Sequence, residues 1–377
     1  MNRKPLPYYA LCALLAACGS SGGDDNVNGD GGADASIDNQ GPPKDGGTKD
    51  SAAADVADAA PTCGTCPTGY TCGTANGIPV CRSTTTAIPL FTNVYVILME
   101  NTSLSTLQAA ITAGNAPNLK TWQAAYATAS DYHGVAHPST PNYIALTSGS
   151  TQGIGCDCQA EPGQGTCVPV LDFCFTCSCN VGATNLGDQL DTVSKTWMDF
   201  GETMGTPCNL TDNGNYAVRH NPFLFYNDVQ TPASRCDAHV VDFTNFNTAS
   251  PAAFNFIAPN LVDDMHNPDP TNSTNIPNGD TWLGGQVPAI LQSTAYKNGG
   301  LLVIVWDEDD ASGGVGGTTD DPIGLWVMSP YAKSSGYVSA TQANHYSLLA
   351  TFEDGLSVGR LANAATAAPL TDFFPAN

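Results

Sequence analysis

Four short apolar runs constrain this chain more than any other feature. "NVYVILM" (93–99), "FNFIA" (254–258), "LLVIVW" (301–306) and "IGLWVM" (323–328) are each bounded by polar or turn-forming residues. They are too short for buried helices and lack the alternation of a half-exposed strand, so they read as strands covered on both faces. Helix-like stretches accompany them, such as "LGDQLDTVSKTWMDF" (186–200) and "HYSLLATFEDGL" (345–356). Buried strands interleaved with helices predict an α/β fold, a doubly wound, mostly parallel sheet with helices on both faces. Residues 88–377 are long enough to form one such domain with a substantial core.

In sheets of this kind ligands bind beyond the carboxyl ends of the strands. "NVYVILM" runs into Glu100 and Asn101, "FNFIA" into Asn260, Asp263, Asp264 and His266, and "LLVIVW" into Asp307, Glu308, Asp309 and Asp310. A single polar residue after a strand is commonly a loop starter or a helix cap. Three strands delivering carboxylates and amides to one rim are a different matter. Those groups repel one another unless a cation sits among them, and oxygen ligands suit a hard divalent ion. Between the first two runs lies "HPSTPNYIALTSG" (137–149), where Pro138 and Pro141 flank a Ser-Thr pair. Pro fixes φ for a helix start, which would place the Ser139 hydroxyl among free backbone N–H groups that favour an anion. A hydroxyl, a cation and an anion nest together make a phosphoryl-transfer site, with Ser139 as nucleophile and Thr140, one residue on, as the alternative.

Charge excludes some partners. The chain holds 35 Asp+Glu against 12 Lys+Arg, and residues 62–377 keep 26 acids and 8 bases of these. An acidic surface repels nucleic acid and anionic lipid, so neither is a general partner, and an anionic substrate needs a local cation.

The amino-terminal part reads as export and attachment. "MNRKPLPYYALCALLAAC" has two basic residues, an apolar stretch too short to span a bilayer, and small residues at its end. Leu15-Ala16-Ala17-Cys18 resembles a bacterial lipobox, which implies cleavage before Cys18 and lipidation of that thiol. With Gly19 rather than Asp after it, the expected destination is the outer membrane or cell surface, with the lipid anchor the sole membrane contact. Residues 19–61 are Gly, Asp, Ala and Ser with hardly any large apolar side chain, hence a disordered acidic tether. Within it Asp24, Asn26, Asn28 and Gly29 begin a calcium-loop pattern that fails at Ala35, where a bidentate Glu is required.

Twelve cysteines follow the tether, an even number that in an exported chain reads as disulfides. Cys63, Cys66, Cys72 and Cys81 define a small module at 62–87 that two bridges would hold, a four-cysteine zinc site being the rival. Cys156, Cys158, Cys167, Cys174, Cys177 and Cys179 crowd into an insert at 150–180 read as a stapled surface loop of open pairing. Cys208 with Cys236 is the further bridge.

Taken in order, "VILMENTSL", "HPSTPNYIALTSG", "TWMDFGETM", "YAVRHNPF", "PNLVDDMHN", "GDTWL", "VIVWDEDD" and "NHYSLLATFED" resemble the phosphoesterase family of secreted acid phosphatases and phospholipase C-type enzymes, within the alkaline phosphatase superfamily. The resemblance covers most of residues 91–355 and implies an alkaline phosphatase-like fold and an acid phosphatase-like phosphomonoesterase. It implies that Glu100, Asn101, Ser139, Asp307 and Glu308 hold one divalent metal, calcium, magnesium or manganese rather than zinc. The Ser-x-Pro-Asn turn is similar to the Thr-x-Pro-Asn nucleophile turn of nucleotide pyrophosphatases, which selects Ser139 for a phosphoserine intermediate. His220, His266 and His345 become candidates for binding phosphate or protonating the leaving group, and Asn142, His137 and Asp264 for contacting substrate. His133 and His239 read as structural. Two other readings share these residues. One is a phospholipase C or phosphodiesterase acting on lipid head groups, and the other is a non-catalytic, calcium-dependent surface-binding lipoprotein.

Overall fold

A computed structural model describes residues 62–160, 179–266, 275–310 and 321–376. The signal and lipobox with Cys18, the tether with its calcium-like pattern, and Cys167, Cys174 and Cys177 lie outside these residues.

The described strands, in chain order, are β1 (Tyr70–Ala75), β2 (Ile78–Ser83), β3 (Val94–Met99), β4 (Ala127–Ala129), β5 (Tyr132–His133) and β6 (Trp197–Gly201). They continue with β7 (Val240–Asp242), β8 (Phe254–Ala258), β9 (Leu301–Trp306), β10 (Leu325–Met328), β11 (Val338–Ser339) and β12 (Ala343–Asn344). Eight of them form one sheet in the order β11-β4-β10-β9-β3-β8-β6-β7. The pairs β9-β3, β3-β8, β8-β6, β6-β7 and β4-β11 are parallel, whereas β10 runs antiparallel to both neighbours. All four apolar runs are therefore strands of one mostly parallel α/β sheet.

Every residue of β3, β8, β9 and β10 is buried. A strand with no exposed side chain needs cover on both faces. The longer helices pack in two groups: Ser139–Ser148 on His345–Gly355, and Pro117–Ala125 on Leu104–Ala113 and on Asn275–Gln292. Among the described residues no helix is long and apolar enough to cross a membrane.

One helix-like stretch is corrected. Residues 186–200 are helical only over Leu186–Thr192, which starts on an Asn185/Asp188 capping box. Ser194 then takes φ 56° and the chain becomes β6. The left-handed residue ends the helical run, and Trp197 and Phe200 are buried in the sheet instead.

β1 and β2 form a hairpin through Asn76-Gly77, both at positive φ as a type I′ turn requires. Cys63–Cys72 and Cys66–Cys81 staple it, the two bridges expected of this module. The hairpin is anchored to the large domain. Asn76 donates to the carbonyls of Pro330 (2.9 Å) and Ala332 (2.7 Å), and the buried Arg82 donates to that of Pro375 (2.7 Å). The Tyr70 and Thr86 hydroxyls both donate to Asp354, at the end of helix His345–Gly355. Cys208–Cys236 is present as expected, and Cys158–Cys179 ties the ends of the Cys-rich insert.

Candidate active site

The site begins where three adjacent parallel strands end. Glu100 and Asn101 follow β3, Asp307 to Asp309 follow β9, and Asp264 lies in the turn after β8. Backbone bonds fix these segments to one another. The Glu100 N–H donates to the Asp264 carbonyl (2.8 Å), and the Asp307 N–H to the Met99 carbonyl (3.0 Å). Asn101 sits at φ 39°, and its N–H donates to Asp307 Oδ1 (3.0 Å). Glu100, Asp264, Asp307, Glu308 and Asp309 are all buried.

The nucleophile candidate arrives from a helix. Ser139 is the first residue of Ser139–Ser148, after Pro138. Its Oγ donates to Glu100 Oε2 at 2.9 Å and lies 3.4 Å from both Asn101 Oδ1 and Glu308 Oε1. Thr140 turns elsewhere: its hydroxyl and N–H both donate to Asp157 Oδ1, at 3.0 and 3.1 Å. At the far end of the helix Gly149 caps at φ 73°, where a Cβ would stand 2.3 Å from the Leu361 carbonyl oxygen. One turn inside, the Tyr143 hydroxyl donates to Glu100 Oε1.

Asn142, expected to contact substrate, is bonded to its own loop. Its Oδ1 accepts from the N–H groups of Val135 (2.8 Å) and Ala136 (3.1 Å), and its Nδ2 donates to the Ala136 carbonyl (2.7 Å). Both ends of the amide are engaged by the loop that precedes the helix, so Asn142 locks that loop in place.

The histidines divide by environment. His137 bridges two acids, Nδ1 to Glu308 Oε2 at 2.6 Å and Nε2 to Asp309 Oδ1 at 3.3 Å. His220 is buried and stacked on Tyr143, with ring centroids 5.2 Å apart; Nε2 is 3.2 Å from Glu100 Oε1 and Nδ1 3.4 Å from Asp264 Oδ2. The ring of His266 lies 6.1 Å from that of His220, and the backbone N–H of His266 donates to Asp264 Oδ1 (2.7 Å). His266 is partly exposed, whereas His220 is closed off. His345 supports the site from behind: Nδ1 pairs with the Tyr132 hydroxyl (2.9 Å) and Nε2 with the Asp307 carbonyl (2.7 Å), so both ring nitrogens are engaged. His133 pairs with Asp131, and His239 with the Trp197 carbonyl.

Electrostatics follow from burial. Glu100 is pushed well above the carboxylate range, by desolvation first and then by Asp307 and Asp264. Asp307 and Asp264 move the same way, again chiefly through burial. Glu308 rises to about 9, from burial and then the nearby Asp157 charge. Burial and the neighbouring Arg219 push His220 well below its ordinary value and His266 down to about 4, so both rings are neutral. Arg219 is a functional candidate that motif reading passed over in favour of its neighbour His220. Its signal was available, since a base inside a matching block is conspicuous when residues 62–377 hold only 8.

This donor set fits a hard divalent cation. The Oδ2 atoms of Asp307 and Asp264 are buried without a hydrogen-bond partner, and most of the surrounding ligand atoms are oxygens, with the two ring nitrogens of His220, likewise buried without a hydrogen bond, beside them. The acids do not form as tight a trio as the sulfurs of Cys63, Cys66 and Cys81 or of Cys156, Cys158 and Cys179. Disulfides already engage all of the first cysteine set and two of the second, which removes the thiolates a metal needs.

The loop carrying Arg219 and His220 is held from below by β6. Asn221 Nδ2 donates to Asp199 Oδ1 (2.7 Å), while Asp199 Oδ2 is buried without a hydrogen-bond partner. Burial raises Asp199 to about 8. Its folded value exceeds its unfolded one, so the destabilisation is absent below about pH 4 and grows as pH rises towards about 8. Asp199→Asn keeps the Oδ1 acceptor without the charge. The variant is expected to melt with the wild type at pH 4 and a few degrees above it at pH 8, on the order of 2 kcal/mol. Equal melting temperatures at both pH values would refute this account.

Comparison with known proteins places the chain among phosphatases and related structures by similarity. The chain is 29% identical over 307 residues to a phosphatidylinositol-3-phosphatase of Mycobacterium tuberculosis, covering 79% of this chain and 87% of that protein. It is 26% identical over 192 residues to an acid phosphatase of Aspergillus fumigatus, covering 48% of this chain and 37% of that longer protein. A solved structure of an alkaline phosphatase superfamily protein from Vibrio parahaemolyticus superposes with a TM-score of 0.47 at 10% identity, over 78% of this chain and 71% of that one. The profile of the phosphoesterase family matches residues 102–359, a span that includes Ser139, His220, Asp264 and the Asp307-Glu308 pair, and the chain belongs to that family.

Proposed function

We propose that the protein is a divalent-cation-dependent phosphoesterase, an acid phosphatase-like phosphomonoesterase that works through a phosphoserine at Ser139. The observation that carries this reading is the Ser139 hydroxyl, placed at a helix start and 2.9 Å from a buried carboxylate at the joint end of three strands. Glu100, Asn101, Asp307 and Glu308, with Ser139, are the residues that would hold the cation. When bound, it supplies positive charge that offsets these carboxylates and lets an anionic ester approach.

The chain's own groups then act in sequence. Ser139 Oγ passes its proton to Glu100 Oε2 and forms a bond to phosphorus as the ester oxygen departs. His266, partly exposed and beside His220, is placed to protonate the departing alcohol; an arriving phosphate anion raises its affinity for the proton it lacks in the free protein. Arg219 pairs with the non-bridging oxygens. Water next attacks phosphorus and gives a proton to His266, while the Oγ leaves and takes back the proton held on Glu100 Oε2. Tyr143 and His345 hold Glu100 and Asp307 in place. Export and lipidation at Cys18 complete the proposal and would set the enzyme at a membrane surface.

The Mycobacterium relative adds a second reading, a phosphomonoester on an inositol lipid head group. A substrate panel tests both, with and without chelator: p-nitrophenyl phosphate, bis(p-nitrophenyl) phosphate, and vesicles of phosphatidylcholine with or without phosphatidylinositol 3-phosphate. Cleavage of the soluble monoester, lost with chelator, is the expected result. Cleavage confined to the diester or to phosphatidylcholine would replace it with a phosphodiesterase or phospholipase C. Calcium binding without turnover of any substrate would leave a binding lipoprotein.

A further inference from the structure

The Cys-rich insert sends one carboxylate to the edge of the site. Asp157 Oδ1 accepts both the N–H and the hydroxyl of Thr140, next to Ser139, while Oδ2 lies 3.7 Å from Arg219 Nε. Those are partners a phosphate group at Ser139 would seek: a free N–H at a helix start and a guanidinium.

Asp157 is held there. The next residue, Cys158, is bridged to Cys179, and the Cys179 N–H donates to the Gln159 carbonyl (3.2 Å). Gln159 Nε2 donates to Asp212 Oδ2 (3.1 Å), and Asp212 Oδ1 accepts the Val218 N–H (2.9 Å), one residue before Arg219. The insert is thus joined to the loop that carries the arginine as well as to the helix that carries the serine.

Resting on the reading of Ser139 as nucleophile, we infer that Asp157 is a specificity-determining residue that takes the place of one anionic oxygen and selects singly charged phosphate groups over doubly charged ones. A fixed negative charge beside Arg219 and the helix start repels a dianion more than a monoanion. Monoester phosphates lose their second proton near pH 6, so the class selected is the monoester in its singly charged form, and the diester, which carries one charge at any pH. Asp157 narrows the choice of substrate and takes no part in bond making.

Asp157→Asn tests this, because Asn retains an acceptor for Thr140 and loses only the charge; Asp157→Ser, which removes the charge differently, serves if the first variant fails to fold. At pH 7.5 the variant is expected to bind inorganic phosphate about tenfold tighter while its affinity for dimethyl phosphate changes by less than about threefold. The ratio of kcat/KM for p-nitrophenyl phosphate to that for bis(p-nitrophenyl) phosphate should rise in parallel. An unchanged ratio, weaker phosphate binding or a collapse of turnover in the variant would overturn the inference while leaving the phosphoesterase reading intact. A wild type that neither binds phosphate nor hydrolyses either ester would overturn that reading instead.

Discussion

Ser139→Ala is expected to lower turnover of p-nitrophenyl phosphate by about 10⁴-fold or more, the scale on which removal of a nucleophile acts. The fold should survive. The change deletes one buried hydroxyl, and Glu100 keeps its bond from Tyr143. Circular dichroism and a melting temperature within a few degrees of wild type would separate lost chemistry from lost structure. Thr140 is no substitute, because its hydroxyl bonds Asp157, whereas that of Ser139 bonds Glu100. Retained activity in Ser139→Ala would remove Ser139 from the mechanism, and loss in Thr140→Ala alone would transfer the role.

The second large effect is on stability. Burial raises the proton affinity of Glu100, Asp264 and Asp307, and repulsion between neighbouring carboxylates adds to it, so in cation-free buffer they destabilise the native state. A divalent ion that binds only the folded chain should reverse this, by roughly 2.7 kcal/mol when present at one hundred times its dissociation constant. Asp307→Asn keeps the Oδ1 acceptor for the Asn101 N–H and deletes one of the repelling charges. The variant should melt at or above the wild type in chelator, gain little from added calcium, magnesium or manganese, and lose turnover. Differential scanning fluorimetry across those ions and zinc checks this, along with the metal content of the purified protein. A wild type whose melting is indifferent to chelator and to every ion would show that the carboxylates hold no cation.

What the amino-acid string reveals here depends on how local each feature is. The rim of acids is legible because strand ends and the residues after them are contiguous, and the parallel arrangement of β9, β3 and β8 brings those ends together. The antiparallel β10 looks like the other runs, because burial on both faces leaves the same apolar signature whichever way a strand points. Asn142 beside a nucleophile could face substrate or its own loop; an amide can do either, and only the loop's path decides. Asp157 and Arg219 are separated by 62 positions and tied through a bridge of open pairing, so their meeting has no periodic or spacing signal.

The placement of β9 bears on how this molecule comes into being. The strand begins at residue 301 yet lies in the interior of the sheet, flanked by a neighbour from residue 94 and another from residue 325. A ribosome must therefore release most of the polypeptide before the middle of the sheet can close, and pairings across such long sequence separations are slow to form. Glu100 and Asp307 remain strangers until that late closure. Catalytic competence would then emerge in a single step near the end of folding, and shortened or nascent chains should be inert.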